Sequence, residues 1–486
     1  MNLLKYKKLL SATGLTTFGL ASITTYNLNN SKTLKKFSYE EVEKYNNVKN
    51  GIYVTYKDSV YDVTDFVNNH PGGKDKILLA AGKSIDKYWN LYPQHISNPD
   101  IYNEILTPMK VGILENYKKS NDNLIDLYIN DPIRDSNLNF HSIVPCNAET
   151  PIDSIIDNYI TPNEFYYIRN HHPVPHIDIK DYKLEIAHDD KLLTAISFVE
   201  LINLPMKEIT CTMQCGGNRR NELTPFKKTS GIQWDIGAIS TAKWGGVQLR
   251  DILIKVNNNN FKNINHVHFE SYDGVITSIP IEKALNTFGD VLIAYQMNEH
   301  DIPLDHGYPI RIIVPGHVGI RSVKWLKRIT LSKKEADSVY QQGIPYKSTP
   351  HYITNLDKWN IEDFPSIQEL PVQSCITNVE EKENKFTISG YSYSGGGRNI
   401  TRVDLSTDNG ATWLLTKLTQ GNDQGYNRAW AWTFWELDVD TLDNNNILVC
   451  KAVDSSLNTQ TDRIDLSWNF RGLSNNSWHK KYIKKD

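Results

Sequence analysis

Ile209, Cys211, Met213 and Cys215 alternate with Thr210, Thr212 and Gln214, which is the period-two signature of a half-buried strand. The strand stops at Gly216-Gly217-Asn218-Arg219-Arg220, so Cys215 sits at its exit beside glycine backbone and two guanidinium groups. Tyr53–Tyr56 and Ser59–Val63, separated by Lys57-Asp58, predict a hairpin, and Ser38 stands at capping-box distance before Glu41 at a helix start. Further on, Lys385–Tyr393 and Arg402–Ser406 alternate, and Asp408-Asn409-Gly410 supplies a hairpin turn before Ala411–Leu415. Short strands at this spacing predict an immunoglobulin-like β-sandwich over residues 348–486. Ala429–Trp435 carries large apolar groups on both faces, more than one sandwich core needs.

Composition narrows the class. The 486 residues are 40% hydrophobic and 22% charged with a net charge of −3, a soluble composition long enough for about three domains and without a nucleic-acid footprint. Five cysteines at positions 146, 211, 215, 375 and 450 make no disulfide framework. Extended chain separates the sulfurs of Cys211 and Cys215 by roughly 13 Å, too far for a disulfide or for one shared metal. Cys211 therefore reads as a small core hydrophobe and Cys215 as the place for a reactive thiolate.

Residues 1–36 hold six lysines and no acid around a hydroxyl-rich apolar stretch, too polar for a stable membrane span. Residues 1–33 are expected to be a mitochondrial presequence, with a secretory signal as the disfavoured rival.

His70-Pro71-Gly72-Gly73 turns sharply ahead of the apolar run Ile77–Ala81, and His95 follows Tyr88-Trp89-Asn90-Leu91-Tyr92. This arrangement resembles cytochrome b5, a small α+β fold in which two histidines bind haem iron from opposite sides. The resemblance implies haem b on His70 and His95 within residues 34–115, with both axial positions filled, so that the iron passes electrons and binds no substrate. Residues 37–115 carry 11 Asp and Glu against 8 Lys and Arg, a mildly acidic face suited to a basic acceptor such as cytochrome c. The polar, aperiodic residues 116–127 are expected to form a hinge.

Gln214-Cys215-Gly216-Gly217-Asn218-Arg219-Arg220 closely resembles the sequence around the molybdenum-ligating cysteine of the sulfite oxidase family, whose usual form has Ala at the place of Gly216. The resemblance extends to Tyr167-Ile168-Arg169-Asn170-His171, to Asp305–Gly316 and to Arg321–Leu326, and it covers almost the whole chain. It implies an α+β multidomain protein: the cytochrome b5-like domain, a mixed α/β molybdopterin domain over residues 128–347, and the Ig-like sandwich as a homodimerisation domain. Cys215 would ligate molybdenum, with Tyr167, Ile168, Arg169, Asn170, His171, Asp273, His306, Arg311, Ser322, Val323 and Lys324 holding the molybdopterin.

Arg169, Arg220 and Arg398, walled by Trp234 and Tyr346, would bind the sulfite dianion through forked hydrogen bonds, Arg398 reaching in from the sandwich after Gly395-Gly396-Gly397. The implied activity is oxidation of sulfite to sulfate by oxo transfer, with electrons leaving singly through haem to cytochrome c in the mitochondrial intermembrane space. The alternative is a nitrate reductase-type molybdenum enzyme, disfavoured because the haem module comes first and no flavin region follows.

Overall fold

The computed structural model describes residues 34–483 apart from 48–49, 71–76, 79, 92–94, 96–100, 116, 118–127, 130, 355–358, 383–384 and 443–446. The expected presequence, nearly all of the expected hinge, and Pro71, Gly72 and Gly73 thus lie outside the described residues. The chain divides into two compact units, residues 1–129 and 130–486.

In the first unit the Ser38 hydroxyl accepts the Glu41 N–H while the Glu41 carboxylate accepts the Ser38 N–H, so the predicted capping box starts the helix Tyr39–Glu43. The predicted hairpin is present as Gly51–Tyr56 against Ser59–Asp62, with Lys57 in its turn at φ 53°. Lys110–Leu114 pairs on the far side of the hairpin and Lys35–Phe37 adds in parallel at the edge. The core buries Ile52, Val54, Tyr61, Val63, Val67, Ala80 and Trp89, and beside it stand His70 and His95.

The second unit opens with three sheets. Leu326–Ser332 lies between Lys183–His188, which it pairs in parallel, and His266–Ser271, which it pairs antiparallel. Lys207–Gln214 is the edge of another sheet and pairs Ile239–Gln248, which in turn pairs Leu292–Met297. A small third sheet joins Asn139–Ser142, Asn147–Glu149 and Ile168–Arg169. An apolar core of Leu184, Ile186, Phe269, Ile293, Ile312 and Leu326 fills this part.

From residue 373 the chain forms the predicted sandwich. One sheet runs Gln373–Lys382, Lys385–Tyr393, Thr433–Val439 and Lys417–Gln420; the other runs Leu414–Leu415, Ile400–Ser406, Ile447–Asp454 and His479–Tyr482. Asn409 at φ 58° and Gly410 at φ 92° make the predicted turn before Leu414.

One expectation changes here, and one surplus is explained, for the same reason. The polar face of Lys207–Gln214 is not solvated: Thr212 and Gln214 are buried together with Cys211 and Met213. Thr212 donates its N–H to the Trp430 carbonyl and its Oγ1 accepts the Trp432 N–H at 2.7 Å, and Gln373 Nε2 bonds Gln214 Oε1. The sandwich therefore covers the polar side of the strand. The same seam absorbs the surplus aromatics. Trp430 packs with Cys211 and Met213, Trp432 and Phe434 pack with Ile239 and Val318, and Trp435 alone of the four enters the sandwich core. Their bulk answers the catalytic half of the same chain.

Candidate active site

Cys215 is partly exposed where its strand ends, and its Sγ faces the Gly217 N–H at 3.4 Å. Cys211, four residues earlier, is fully buried with its thiol pushed up to about 12 by burial, which fits the core role read from the sequence. A cavity opens at Cys215. Its lining includes Tyr167, Arg169, His171, Asp273, His306, Arg311, Ser322, Val323, Lys324 and Tyr346, so ten of the expected residues from five separate segments converge with the thiol.

Two more of the expected residues support this lining from behind. Ile168 is buried in the small third sheet. Asn170 donates to Asp305 Oδ1 at 2.8 Å, and its own Oδ1 accepts from Lys324 Nζ. The sequence reading missed Asp305 and Arg134 as organisers of this corner: Arg134 bonds Asp305 with both Nε and Nη2. Burial pushes the Asp305 carboxyl up, but the Arg134 bonds and charge bring it net below the ordinary range. Fixed negative in this way, it holds Asn170 and, through its backbone carbonyl, Lys324.

The electrostatics of the cavity identify its ligand class. Burial pulls the Arg311 guanidinium down to about 10 and the Lys324 ammonium down to about 7. His306 is held down to about 4 by burial and stays neutral. Arg311 gives its Nη atoms to the His306 and Ser322 carbonyls at 2.6 and 2.8 Å, while its buried Nε has no hydrogen-bond partner among the described residues. Buried cations with an unused donor are costly unless an anion completes them. A phosphate-bearing cofactor does so, and a soft thiolate at the other end suits molybdenum, so the residues present fit molybdopterin.

Beside Cys215 stands a second cationic group. Arg220 gives Nε to the Arg471 carbonyl at 2.7 Å and Nη1 to the Ile232 carbonyl at 2.6 Å. Burial lowers Arg220 to about 10, and the charges acting on it include Cys215, Arg471, Arg169 and Tyr346. Burial also lowers Arg471, with Tyr346 and Arg169 as its electrostatic neighbours. Gly217 admits this arrangement, since a Cβ there would meet the Arg220 guanidinium at 2.6 Å and Trp234 at 2.7 Å. At Gly216 an added Cβ would meet Val318 at 2.8 Å, so in this chain Val318 occupies the space that an alanine methyl would need. Trp234 is buried, with its ring edge-on to His141 at 4.8 Å. His171 Nε2 and the Tyr346 hydroxyl are 2.7 Å apart. Burial lowers His171 and raises Tyr346, so both are neutral and share one proton position.

Arg398 is a correction. The glycines before it do bring the sandwich backbone against the catalytic half, where a Cβ on Gly395 would meet the Gly316 carbonyl at 2.6 Å. The side chain nevertheless turns away: its Nε lies 3.3 Å from the fully buried Asp454 carboxylate and its Nη2 3.3 Å from Glu369. It lines a different cleft, with Ser348, Glu369 and Asn469. The cation that the C-terminal part contributes beside Arg169 and Arg220 is Arg471, which the sequence reading missed. Its only sequence signal is an arginine followed by Gly472 in an unpatterned stretch, and position alone could not favour it over Arg398.

In the first unit the His70 and His95 rings lie with centroids 6.3 Å apart and planes at 36°. An imidazole nitrogen binds a metal at about 2 Å, so two rings on opposite sides of one ion have centres roughly 6 Å apart, and the pair fits a single haem iron.

These features define a molybdenum-cofactor oxidoreductase with its own haem carrier. Residues 171–340 match the oxidoreductase molybdopterin binding domain, residues 364–486 the Mo-co oxidoreductase dimerisation domain, and residues 38–115 the cytochrome b5-like heme/steroid binding domain. The chain is 40% identical to the mitochondrial sulfite oxidase of Homo sapiens over 96% of its own length and 88% of that protein's. A nitrate reductase [NADH] of Lotus japonicus is 33% identical over 79% of this chain and 44% of its own length. Among solved structures, the sulfane dehydrogenase SoxCD from Paracoccus pantotrophus superposes with a TM-score of 0.59 at 26% identity, covering 71% of this chain and 85% of that one. The chain belongs to the sulfite oxidase family.

Proposed function

We propose that the protein oxidises sulfite to sulfate at a molybdenum centre held by Cys215, and passes the two electrons singly through haem b on His70 and His95 to cytochrome c. The observation that carries this reading is the meeting of the Cys215 thiol with two sets of cations, each with a buried arginine in it, Arg311 in one and Arg220 in the other. Arg311 and Lys324 suit the cofactor, and Arg169, Arg220 and Arg471 suit a small dianion. When bound, molybdopterin-held molybdenum supplies the oxygen that sulfur acquires and takes up the electron pair that sulfur loses.

The chain's residues supply the rest. Arg169, Arg220 and Arg471 bind sulfite oxygens by charge-assisted bonds and leave the sulfur lone pair facing inward. Trp234 backs Arg220, and the burial of the site strengthens each of these bonds. The Tyr346 hydroxyl, aligned on neutral His171, is a donor that an oxyanion can claim without a net change of charge. Tyr167, Ile168, Asn170, Asp273, His306, Ser322 and Val323 complete the cofactor cradle or support it.

The domains proposed are residues 34–115 for haem, 116–127 as hinge, 128–347 for molybdopterin and 348–486 for homodimerisation, after a presequence over 1–33. The relatives named mitochondrial support a mitochondrial location, and the proposed compartment is the intermembrane space. No helix among the described residues is long and apolar enough to cross a membrane.

The test is sulfite-dependent reduction of cytochrome c by the purified protein, alongside its molybdenum and iron content. About one of each metal per chain with turnover is expected. Iron without molybdenum would make the chain a haem carrier on an inert scaffold, and nitrate reduction without sulfite oxidation would favour the nitrate reductase alternative.

A further inference from the structure

His95 does not stand alone beside its partner ring. The Trp89 indole lies against it with centroids 4.8 Å apart and planes at 26°, a stacked contact. The Trp89 backbone also acts on the His95 ring electrostatically. Trp89 itself has little freedom. It is 7% exposed, and its backbone N–H is tied to the Ile85 carbonyl at 2.6 Å. Its ring packs on Tyr56 at 4.6 Å and meets Tyr102 edge-on at 6.5 Å. His70, across the gap, is met by Phe66 edge-on at 5.8 Å. One of the two imidazoles thus has a flat, immobilised aromatic plane along its face.

An imidazole rotates easily about its bond to iron, so its plane is set by what packs on it and by the acceptor for its other nitrogen. The angle between two axial imidazole planes governs how the iron's dπ orbitals split in the ferric state. We propose that Trp89 is a positioning residue that fixes the rotation of the His95 ring about its iron bond, and so sets the electronic state of the haem through which the enzyme's electrons leave. The contact belongs to the ring of Trp89 and not to its backbone. Replacing the side chain removes the stack and leaves the backbone in place.

The proposal rests on His70 and His95 as the iron ligands, and the experiment separates the two ideas. The full-length, haem-loaded chain is compared with Trp89→Phe and Trp89→Met by low-temperature electron paramagnetic resonance of the ferric state, with optical spectra and haem content measured on the same samples. The wild type should give one low-spin bis-imidazole species. A wild-type spectrum of any other kind would overturn the ligand reading and this proposal with it.

Trp89→Phe keeps a flat ring and should keep the wild-type g values. Trp89→Met keeps apolar bulk without a plane, and should shift the g values or spread them into a broad distribution while the optical bis-imidazole spectrum persists. Unchanged g values and linewidth in Trp89→Met overturn the proposal. Should that variant fail to retain haem, Tyr56→Leu leaves Trp89 present but unsupported. Broadened g values then support the proposal, and an unaltered spectrum overturns it.

Discussion

Arg220 Nε donates to the backbone carbonyl of Arg471 at 2.7 Å, joining the residue five positions after the candidate molybdenum ligand to one 251 positions further along the chain. This bond holds two like charges beside one another, with Arg169 as a further like charge acting on both, an arrangement that a dianion would relieve. Arg471→Met should therefore weaken sulfite binding by one charge-assisted bond, about 1.5–3 kcal/mol or roughly 10- to 150-fold in Michaelis constant. Sulfate inhibition should weaken in parallel. Steady-state kinetics decide it, and an unchanged Michaelis constant removes Arg471 from the site.

Arg398→Met should behave in the opposite way. Its guanidinium forms an ion pair with the buried Asp454 carboxylate, whose hydrogen bonds come from Ser394, Ser456 and Asn458. The expected result is a stability loss of about 1–2 kcal/mol, read by thermal or denaturant unfolding, with the sulfite Michaelis constant within error of wild type. A large kinetic effect without a stability loss would return Arg398 to the site.

The two cysteines of one strand should separate cleanly. Cys215→Ser should lose molybdenum and sulfite oxidation and keep the haem spectrum, because only the thiol at the cavity changes. Cys211→Ser places a hydroxyl among Met213, Trp234 and Trp430, and should cost about 1–3 kcal/mol of stability with turnover largely retained. Elemental analysis, the Soret band and a melting curve on each variant test the pair.

His70→Ala or His95→Ala should abolish cytochrome c reduction and spare sulfite-dependent reduction of a small artificial acceptor that reaches molybdenum directly. Parallel loss of both activities would show that the haem unit is needed for more than transfer.

Acid should destabilise the second unit through its buried neutral histidines. Burial holds His306 down to about 4 and His317 down to about 3, against an ordinary value near 6.5. Above pH 6.5 both are neutral folded and unfolded, so the full stability is present. As the pH falls from 6.5 toward 4, the unfolded chain takes protons that the folded chain refuses, and stability is lost, by roughly 3 kcal/mol for His306 alone. His306→Gln and His317→Gln should flatten the decline of melting temperature between pH 6.5 and 4, measured against each variant's own value at pH 7.5.

The capping box at Ser38, the hairpin around Lys57-Asp58, the turn at Asn409-Gly410 and the strand into Cys215 were legible because each depends on neighbours within a few residues. The proposed cofactor cradle was legible for a different reason: its residues lie in runs that resemble the family's motifs, and ten of them line one cavity. Three things were decided only by the tertiary fold. Burial of Thr212 and Gln214 depends on the sandwich docking across the strand, which no alternation within Lys207–Gln214 encodes. The surplus tryptophans answer that same docked surface. The choice between Arg398 and Arg471 turns on where a backbone passes. Both arginines adjoin glycine, but Arg398 finds Asp454 of its own sandwich within reach, whereas the Arg471 carbonyl lies on Arg220. A long side chain takes the nearest buried partner, and in this chain that partner is set by contacts tens to hundreds of residues away in sequence.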